Sequence, residues 1–396
     1  KPFAAAAHAA LHGIPQSVML RIDDPEEARC LQALTAELEA ERAAAGDDEV
    51  FLFSDVKLFR FLVGNGNNVE EAATQFRAML EWRREAGIAK MRQDFALAGK
   101  TWSPDLVPGL SHLMQLLMVD ATDQAANNDM IWIQCDGLAK FDEVMAMPDE
   151  SLFPVLHGMM ELRQEHLDLL SAERQELVKA IQVRDLTGLG LTKIVSDLGA
   201  IRRLQTVVKT AALGYPETMR KIIILDAPKG FDALWALISP FLNARMIEKY
   251  VSVSLSSPAD LVRYTGPGGL QALARVRGHL LVGSEEEIAL GPLEIPAGGA
   301  ANRAARAEAG GHVKWCFALA SMDIEFSILL FKDEESIEPV DLSSKSKVRG
   351  EVAGEAAVPC AGVVWISWSN QYSWVRSKQI QDIRLTISSP SRSPEE

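Results

Sequence analysis

The stretch from Tyr215 to Leu242, YPETMRKIIILDAPKGFDALWALISPFL, constrains this chain more than any other. Pro216 fixes its own φ and holds Tyr215 extended, so a turn opens the segment. Ile222 to Leu225 is an unbroken apolar run, too short for a helix. It suits a strand buried on both faces of a largely parallel sheet. Asp226-Ala-Pro-Lys-Gly230 ends that run. Phe231, Leu234, Trp235 and Ile238 then recur at i, i+3, i+4 and i+7, one apolar stripe on a short helix. Pro240 stops it, and Phe241 and Leu242 open the next element. Pattern alone makes this a βα unit whose helix covers its sheet.

The chain before it divides by texture. Residues 1–46 are rich in Ala and Glu, with a helix expected from Glu26 to Ala45. His8 and His12 sit one helical turn apart but lack a third ligand, so they read as solvated. Residues 47–100 read as a helical unit. Leu52, Val56, Phe59 and Val63 keep helical spacing, and Gly64-Asn-Gly-Asn-Asn68 is a turn. Asn68 then caps a helix with Glu71 at its third position. Its buried edge is Val69, Ala72, Ala73, Phe76, Met79, Leu80 and Arg83, and Gly87 ends it. From Thr101 to about residue 285 strands and helices alternate, as βαβ units over a mainly parallel sheet do. Met130 to Gln134 is a strand with Asp136-Gly137 as its turn, and Leu152 to Leu170 is a long helix. Leu198, Ile201, Leu204, Val208 and Ala212 stripe another, closed by Gly214. Tyr250 to Leu255 is a strand.

Residues 286–311 are rich in Pro, Gly and Ala and read as a linker. Beyond it, over 312–396, the period becomes two. Val313, Trp315, Phe317 and Leu319 alternate, as do Ile324, Phe326, Ile328 and Leu330. Val364, Ile366 and Trp368 alternate too, and so do Ile383, Leu385 and Ile387. Strands without helices argue for an antiparallel sandwich. Trp315, Trp365, Trp368 and Trp374 are expected in its core and rim.

These phrases carry two resemblances. A Tyr-Pro-Glu turn, an apolar strand, an x-Ala-Pro loop, then Phe, Trp and Pro-Phe-Leu resemble the CRAL-TRIO family of lipid-binding and lipid-transfer proteins. Asp185-Leu-Thr-Gly-Leu189 resembles that family's strand end, and LFRFLVGNGNNVEEAATQFRAMLEWRREAGI its preceding helical unit. VKWCFAL, DIEFSILLF, AGVVWISWSNQYSWVRSK and QDIRLTI resemble a GOLD domain, a β-sandwich of Golgi and trafficking proteins. The order of the three parts resembles the patellins. The resemblance implies that Phe231, Leu234, Trp235, Ile238, Phe241 and Leu242 form a mobile gate over an apolar pocket. It also implies that Glu217 and Lys249 meet a lipid headgroup. Phosphatidylinositol-transfer members carry a basic pair just after the Phe-Leu, where this chain has Gly-Asn-Gly-Asn. That departure keeps a tocopherol-, squalene- or sterol-like ligand open.

The physical problem of such a carrier is acyl-chain solubility. Each buried CH₂ is worth about 0.8 kcal/mol, so exposing a tail of about sixteen carbons costs on the order of 10 kcal/mol. A lid apolar on its inner face suits that task, and when open it can enter a bilayer surface. The expected function is therefore non-enzymatic binding, transfer or presentation of one lipid molecule, with no cofactor beyond it. The setting is cytoplasmic, transiently peripheral to membranes. The alternative is a trafficking scaffold whose GOLD domain binds a Golgi or trafficking protein, with a vestigial pocket. Lys345, Lys347 and Arg349 form a small basic loop for membrane or partner docking.

Several chemistries find no support. Forty basic against 54 acidic residues give a net charge of −14, which disfavours nucleic acid. The four cysteines, Cys30, Cys135, Cys316 and Cys360, lack CxxC spacing, so neither a zinc site nor a disulfide scaffold is signalled. No apolar stretch reaches the roughly 18 residues of a membrane span. Gly188-Leu-Gly190 has Lys193 where a dinucleotide loop needs its third glycine. Gly266-Pro-Gly-Gly269 lacks the Lys-Ser/Thr of a P-loop. The acidic runs Glu285–Glu287 and Asp333–Glu335 lack the alternating ligands of a calcium loop. The first residue is Lys1, so a fragment or a processed product is expected, and a targeting remnant in the Ala-rich start stays open.

Overall fold

The computed structural model describes residues 20–122, 129–190, 197–282, 284–333, 338–343 and 346–390. His8, His12, Lys193 and Lys345 lie outside the described residues. The chain divides into two compact units. The first takes Lys1–Val119 and Asp136–Ser252, the second Asp120–Cys135 and Val253–Glu396.

The first unit opens with α1 (Pro25–Glu37) and α2 (Glu39–Ala44), broken at Leu38 where one helix was expected. Asp24 caps α1 and Pro25 occupies its first position, where a missing N–H costs nothing. Then come α3 (Asp55–Gly64), α4 (Val69–Glu85), α5 (Ile88–Asp94) and α6 (Leu110–Leu116). The Asn68 side chain accepts from the amides of Glu70 and Glu71, as the capping pattern predicts. On α4, Ala72, Ala73, Phe76, Met79 and Arg83 are buried, while Val69 and Leu80 are only half-buried. Phe76 sits 5.0 Å from Phe61 and 5.2 Å from Phe53, centroid to centroid. Every residue of α3 from Val56 to Leu62 is buried, Lys57 and Arg60 included. A helix wrapped on all sides must pair its charges internally.

Five short strands serve the α/β part: β1 (Val119–Thr122), β2 (Met130–Cys135), β3 (Ala180–Asp185), β4 (Met219–Leu225) and β5 (Tyr250–Val253). In the first unit β3 and β4 pair in parallel, Gln182 opposite Ile222. The amide of Ile222 donates to Lys249 O, just before β5. Ile222 to Leu225 are buried, as their unbroken run requires. Between the strands run α7 (Phe141–Ala146), α8 (Asp149–Arg174), α9 (Leu198–Gly214), α10 (Phe231–Ile238) and α11 (Ala244–Ile247).

The second unit joins β1, β2 and α12 (Pro258–Val276) to a β domain. Gly266-Pro-Gly-Gly269 is a kink inside α12, with Gly266 at φ +64. Two boundaries therefore move. Residues 120–135 and 253–285, expected in the lipid-domain stretch, group with the C-terminal strands. The expected linker 286–311 is largely strand: β7 (Ser284–Leu290), β8 (Leu293–Ile295) and β9 (Ala300–Ala307), after the two-residue β6 (Leu280–Leu281). β9 pairs with β13 (Gly362–Ser369), and β7 and β8 with β14 (Lys378–Ser388). Alanine is a poor strand former, so the segment read as a loop. It is small because α12 packs on β9, and Ala304 and Ala305 are fully buried.

The longest strand, β10 (His312–Lys332), carries both alternating series. Val313 to Leu319 point into the core on odd numbers and Ile324 to Leu330 on even ones. Since strand period is two, an odd number of extra residues must intervene, and against β12 (Ser346–Ala357) the step from Ala318 to Asp323 is matched only by that from Glu351 to Arg349. The two-residue β11 (Val340–Asp341) also pairs with β10. The first half of β10 lies beside β14 and the second beside β13. Trp315, Trp365 and Trp368 are buried, but Trp374 is 94% exposed and belongs to neither core nor rim.

Candidate functional site

Glu217 sits in the turn between α9 and β4, with a left-handed φ of +54. Its carbonyl accepts from Arg60 Nη1 at 2.8 Å, which holds the turn against α3. Three cations from three elements converge on its carboxylate. Lys249 Nζ and Arg245 Nε donate to Oε1 at 2.8 and 2.9 Å. Lys179 Nζ, one residue before β3, donates to Oε2. Glu217 and Lys249 are buried, and Arg245 on α11 remains 44% exposed at its side chain. Burial alone would raise the Glu217 carboxyl, but Lys179 and Lys249 outweigh it and hold it down to about 2. Burial lowers the Lys249 ammonium, against the pull of Glu217.

Both expected headgroup residues are thus brought together, and each is the other's partner. The sequence reading missed Lys179 and Arg245. Their only sequence signal is position: one precedes a strand, the other follows a capping Asn243 whose side chain accepts from Met246 N. The turn where a basic pair was lacking abuts this cluster. A Cβ on Gly64 would meet Pro216 Cβ at 3.1 Å and Glu217 Cγ at 3.8 Å. Beside that turn Lys179 and Arg245 bring positive charge to Glu217. Three cations against one carboxylate leave an excess of positive charge, the chemistry of a phosphate or carboxylate site.

Behind the cluster, α8 turns a polar face toward α3, α4 and α5. Asp168 pairs with Arg60 at 2.7 Å and Lys57 at 2.9 Å. Arg60 also donates to Ser171 Oγ and Val178 O. Glu161 holds Arg83 at 2.6 Å and Arg92 at 2.9 Å, and accepts from the Tyr215 hydroxyl at 2.7 Å. Glu165 takes the other side of Arg92 and the amide of Gly99. Burial opposes the charged forms of Glu161 and Asp168, yet the surrounding cations hold both well below the usual carboxylate range.

The expected gate residues lie in the segment that leads to Arg245 and Lys249. Of the apolar side chains on α10 only Leu234 is buried. Phe231, Trp235 and Ile238 are half-buried, as are Phe241 and Leu242 beyond it. Trp235 meets Tyr250 edge to face at 4.6 Å and Phe231 at 6.4 Å. Lys209 of α9 lies 4.6 Å over the Phe241 ring. On α9 itself Leu204, Val207, Val208, Ala211 and Ala212 are only half-buried, and Leu198 is 68% exposed. An apolar helix therefore rests on an apolar stripe without either being fully covered.

In the second unit Lys347 and Arg349 are exposed on β12. Lys347 Nζ stands 3.7 Å over the Tyr372 ring, and Arg349 reaches Asp323 at 3.5 Å. Among the described residues no group of three metal-ligand side chains occurs, and no helix is long and apolar enough to cross a membrane.

Residues 138–271, about a third of the chain, match the model of the CRAL/TRIO domain family. The chain is 24% identical over 200 residues to the Sec14 cytosolic factor of Schizosaccharomyces pombe, covering 49% of this chain and 65% of that protein. Over 196 residues it is 22% identical to the phosphatidylinositol/phosphatidylcholine transfer protein SFH7 of Arabidopsis thaliana, covering 48% and 34%. A CRAL-TRIO domain-containing protein of Caenorhabditis elegans is 24% identical over 212 residues, 52% of this chain and 27% of that one. The chain thus spans between 27% and 65% of the length of these relatives. The crystal structure of Sfh5 aligns with a TM-score of 0.39 at 14% identity, over 62% of this chain and 85% of that one.

Proposed function

We propose that this chain binds one hydrophobic lipid and transfers or presents it at cytoplasmic membranes, without catalysis. The observation that carries the reading is the continuity of residues 231–249. An apolar helix with one buried apolar side chain runs directly into the cations that cage Glu217. Such a segment offers a tail an apolar wall and a headgroup a positive charge. The match to the CRAL/TRIO domain and the transfer proteins among the relatives support the same assignment.

In this reading α10 is the gate. Its side chains rest on α9 and Tyr250 when closed, and on lipid when open. Lys249, Arg245 and Lys179 take a headgroup phosphate, with Glu217 orienting them and accepting from its hydroxyls. Cations around Glu217 replace the basic pair that residues 64–67 lack, which favours an anionic glycerophospholipid over a neutral sterol-like cargo. The C-terminal β domain is read as a GOLD-type module.

Native mass spectrometry of the purified chain, followed by transfer of fluorescent phosphatidylinositol, phosphatidylcholine and tocopherol between vesicles, tests this. One co-purifying phospholipid and phosphatidylinositol transfer are expected. A ligand-free chain that moves none of the three lipids removes the proposal.

A further inference from the structure

The most exposed large apolar side chains outside the gate region stand side by side in the β domain. Trp374 is 94% exposed and Val375 87%, at the tip of the loop between β13 and β14. Burying an indole is among the largest single gains a side chain offers, so full display of one needs a reason.

The display is built. Asn370, itself buried, donates from Nδ2 to Arg376 O at 2.8 Å and to Pro296 O at 3.0 Å. Ser373 Oγ donates to Arg376 O at 3.1 Å and accepts from Arg376 N at 3.4 Å, closing the turn beneath the tip. Below that, the Tyr372 hydroxyl and Lys378 Nζ donate to Asp323 Oδ1 at 2.8 and 3.0 Å. Hydrogen bonds from Tyr372 and Lys378 hold that carboxyl well below the usual range, so the base is a fixed ion pair. Trp374 and Val375 are thus held out from a pinned turn.

Charge around the tip runs against the chain as a whole. Segments 322–325, 346–349 and 372–378 carry Lys347, Arg349, Arg376 and Lys378 against Asp323 and Glu325, in a protein of net charge −14. Met322, one residue before Asp323, is also exposed. A two-residue tip is far too small for a stable protein interface, which needs roughly 800 Å² per partner. An indole and a valine followed by Arg376 do suit the interfacial zone of a bilayer, where aromatic rings and basic side chains gain together.

We propose that this tip is a membrane anchor: Trp374 and Val375 seat among the headgroups of an anionic bilayer while Arg376, Arg349 and Lys347 meet its phosphates. The anchor does not depend on the cargo reading, since it lies in the β domain and needs no pocket. It would hold the protein at a membrane while lipid exchange proceeds elsewhere in the chain.

The test is sedimentation of the full chain with vesicles of phosphatidylcholine and phosphatidylserine in equal parts, against phosphatidylcholine alone. The parent should pellet with the mixed vesicles and release as salt rises. Trp374→Ser/Val375→Ser and Arg376→Glu should each weaken that binding by roughly tenfold. Both changes are at exposed positions, so melting and co-purified lipid should match the parent. Retention of lipid by the double variant with loss of pelleting separates the anchor from the cargo site. Equal pelleting of parent and variants overturns the proposal. So does a parent that pellets with neither kind of vesicle.

Discussion

Nζ of Lys249 donates to Oε1 of Glu217 at 2.8 Å, joining two buried side chains 32 residues apart in sequence. The lysine is therefore never a free cation waiting for a ligand. In the proposed site a headgroup phosphate would share it with the carboxylate, beside Arg245 and Lys179 on the same group.

Lys249→Ala leaves Glu217 with two cations, so the domain should still fold. Phosphatidylinositol transfer should fall roughly tenfold, the worth of one charged hydrogen bond. Transfer of tocopherol should hardly change. Parallel losses for both ligands, measured between vesicles, would take Lys249 out of the headgroup site.

The cage also sets an acid limit. The Glu217 carboxyl is lowered from an ordinary 4.5 to about 2. A lowered carboxyl contributes stability that is complete above pH 4.5 and lost as pH falls toward 2, at most about 3 kcal/mol for this group. Glu161 and Asp168 are lowered as well, so they too contribute stability that acid removes. Glu217→Gln should therefore melt below the parent at pH 7 and lose less on acidification. Melting curves that stay parallel from pH 5 to 2 would contradict the assignment.

Trp235→Asp tests the gate. The ring is half-buried against Tyr250 and Phe231, so a carboxylate there costs several kcal/mol only where water is excluded. The damage should stay local, between Gly230 and Pro240. Circular dichroism and melting should be near native and lipid transfer lost, while pelleting with anionic vesicles persists through the Trp374 tip. A melting point lowered by tens of degrees would make Trp235 a core residue of a fixed βα unit.

Arg92→Ala probes the buried face of α8. Arg92 bridges Glu161 and Glu165 and stacks 4.1 Å over Phe51. Its removal leaves Glu165 without its guanidinium and should cost about 3–5 kcal/mol. Chemical denaturation at neutral pH reads this directly, and a loss under about 1 kcal/mol would mean that water replaces the arginine.

A fragment ending at residue 285 should aggregate, although the composition of 286–311 invites a cut there. Phe331, Val363, Trp365 and Ala304 are buried on the sheet face opposite the β-domain core, and α12 packs on β9, β10 and β13. Removing those strands takes one side of the cover from α12, whose Leu261, Leu270 and Leu273 are fully buried. Soluble, two-state unfolding of the 47–285 fragment would show that α12 needs no such cover.

Periodicity made much of this fold legible. The strand at Ile222–Leu225, the cap at Asn68 and the two alternating series of β10 follow from apolar spacing and one side-chain acceptor. What escaped was whatever breaks the usual link between residue type and burial. Ala304 and Ala305 look like linker but are fully buried on opposite faces of β9, Ala305 in the β-domain core and Ala304 on the other side of the sheet. Glu161, Glu165 and Asp168 lie on the face of α8 opposite Leu152, Val155 and Leu156, a face that reads as solvated, yet they are buried because their partners come from distant helices. Trp374 looks like core and stands in solvent. For the candidate site, Glu217 and Lys249 were singled out by resemblance alone. Lys179 and Arg245 needed three dimensions, since no spacing links residues 179, 217 and 245.

The slip in β10 stores a parity. Leu319 and Ile324 face the same core from an odd separation, which regular pleating forbids. Losing one residue between them would make the separation even, so that both could face that core without a change of face, although two of the extra residues would remain unmatched on β12. Losing two would keep the odd count. Length changes at this point of the chain therefore act by parity, an odd change removing the need for a change of face and an even one keeping it, a counting rule written into the backbone independently of side-chain identity.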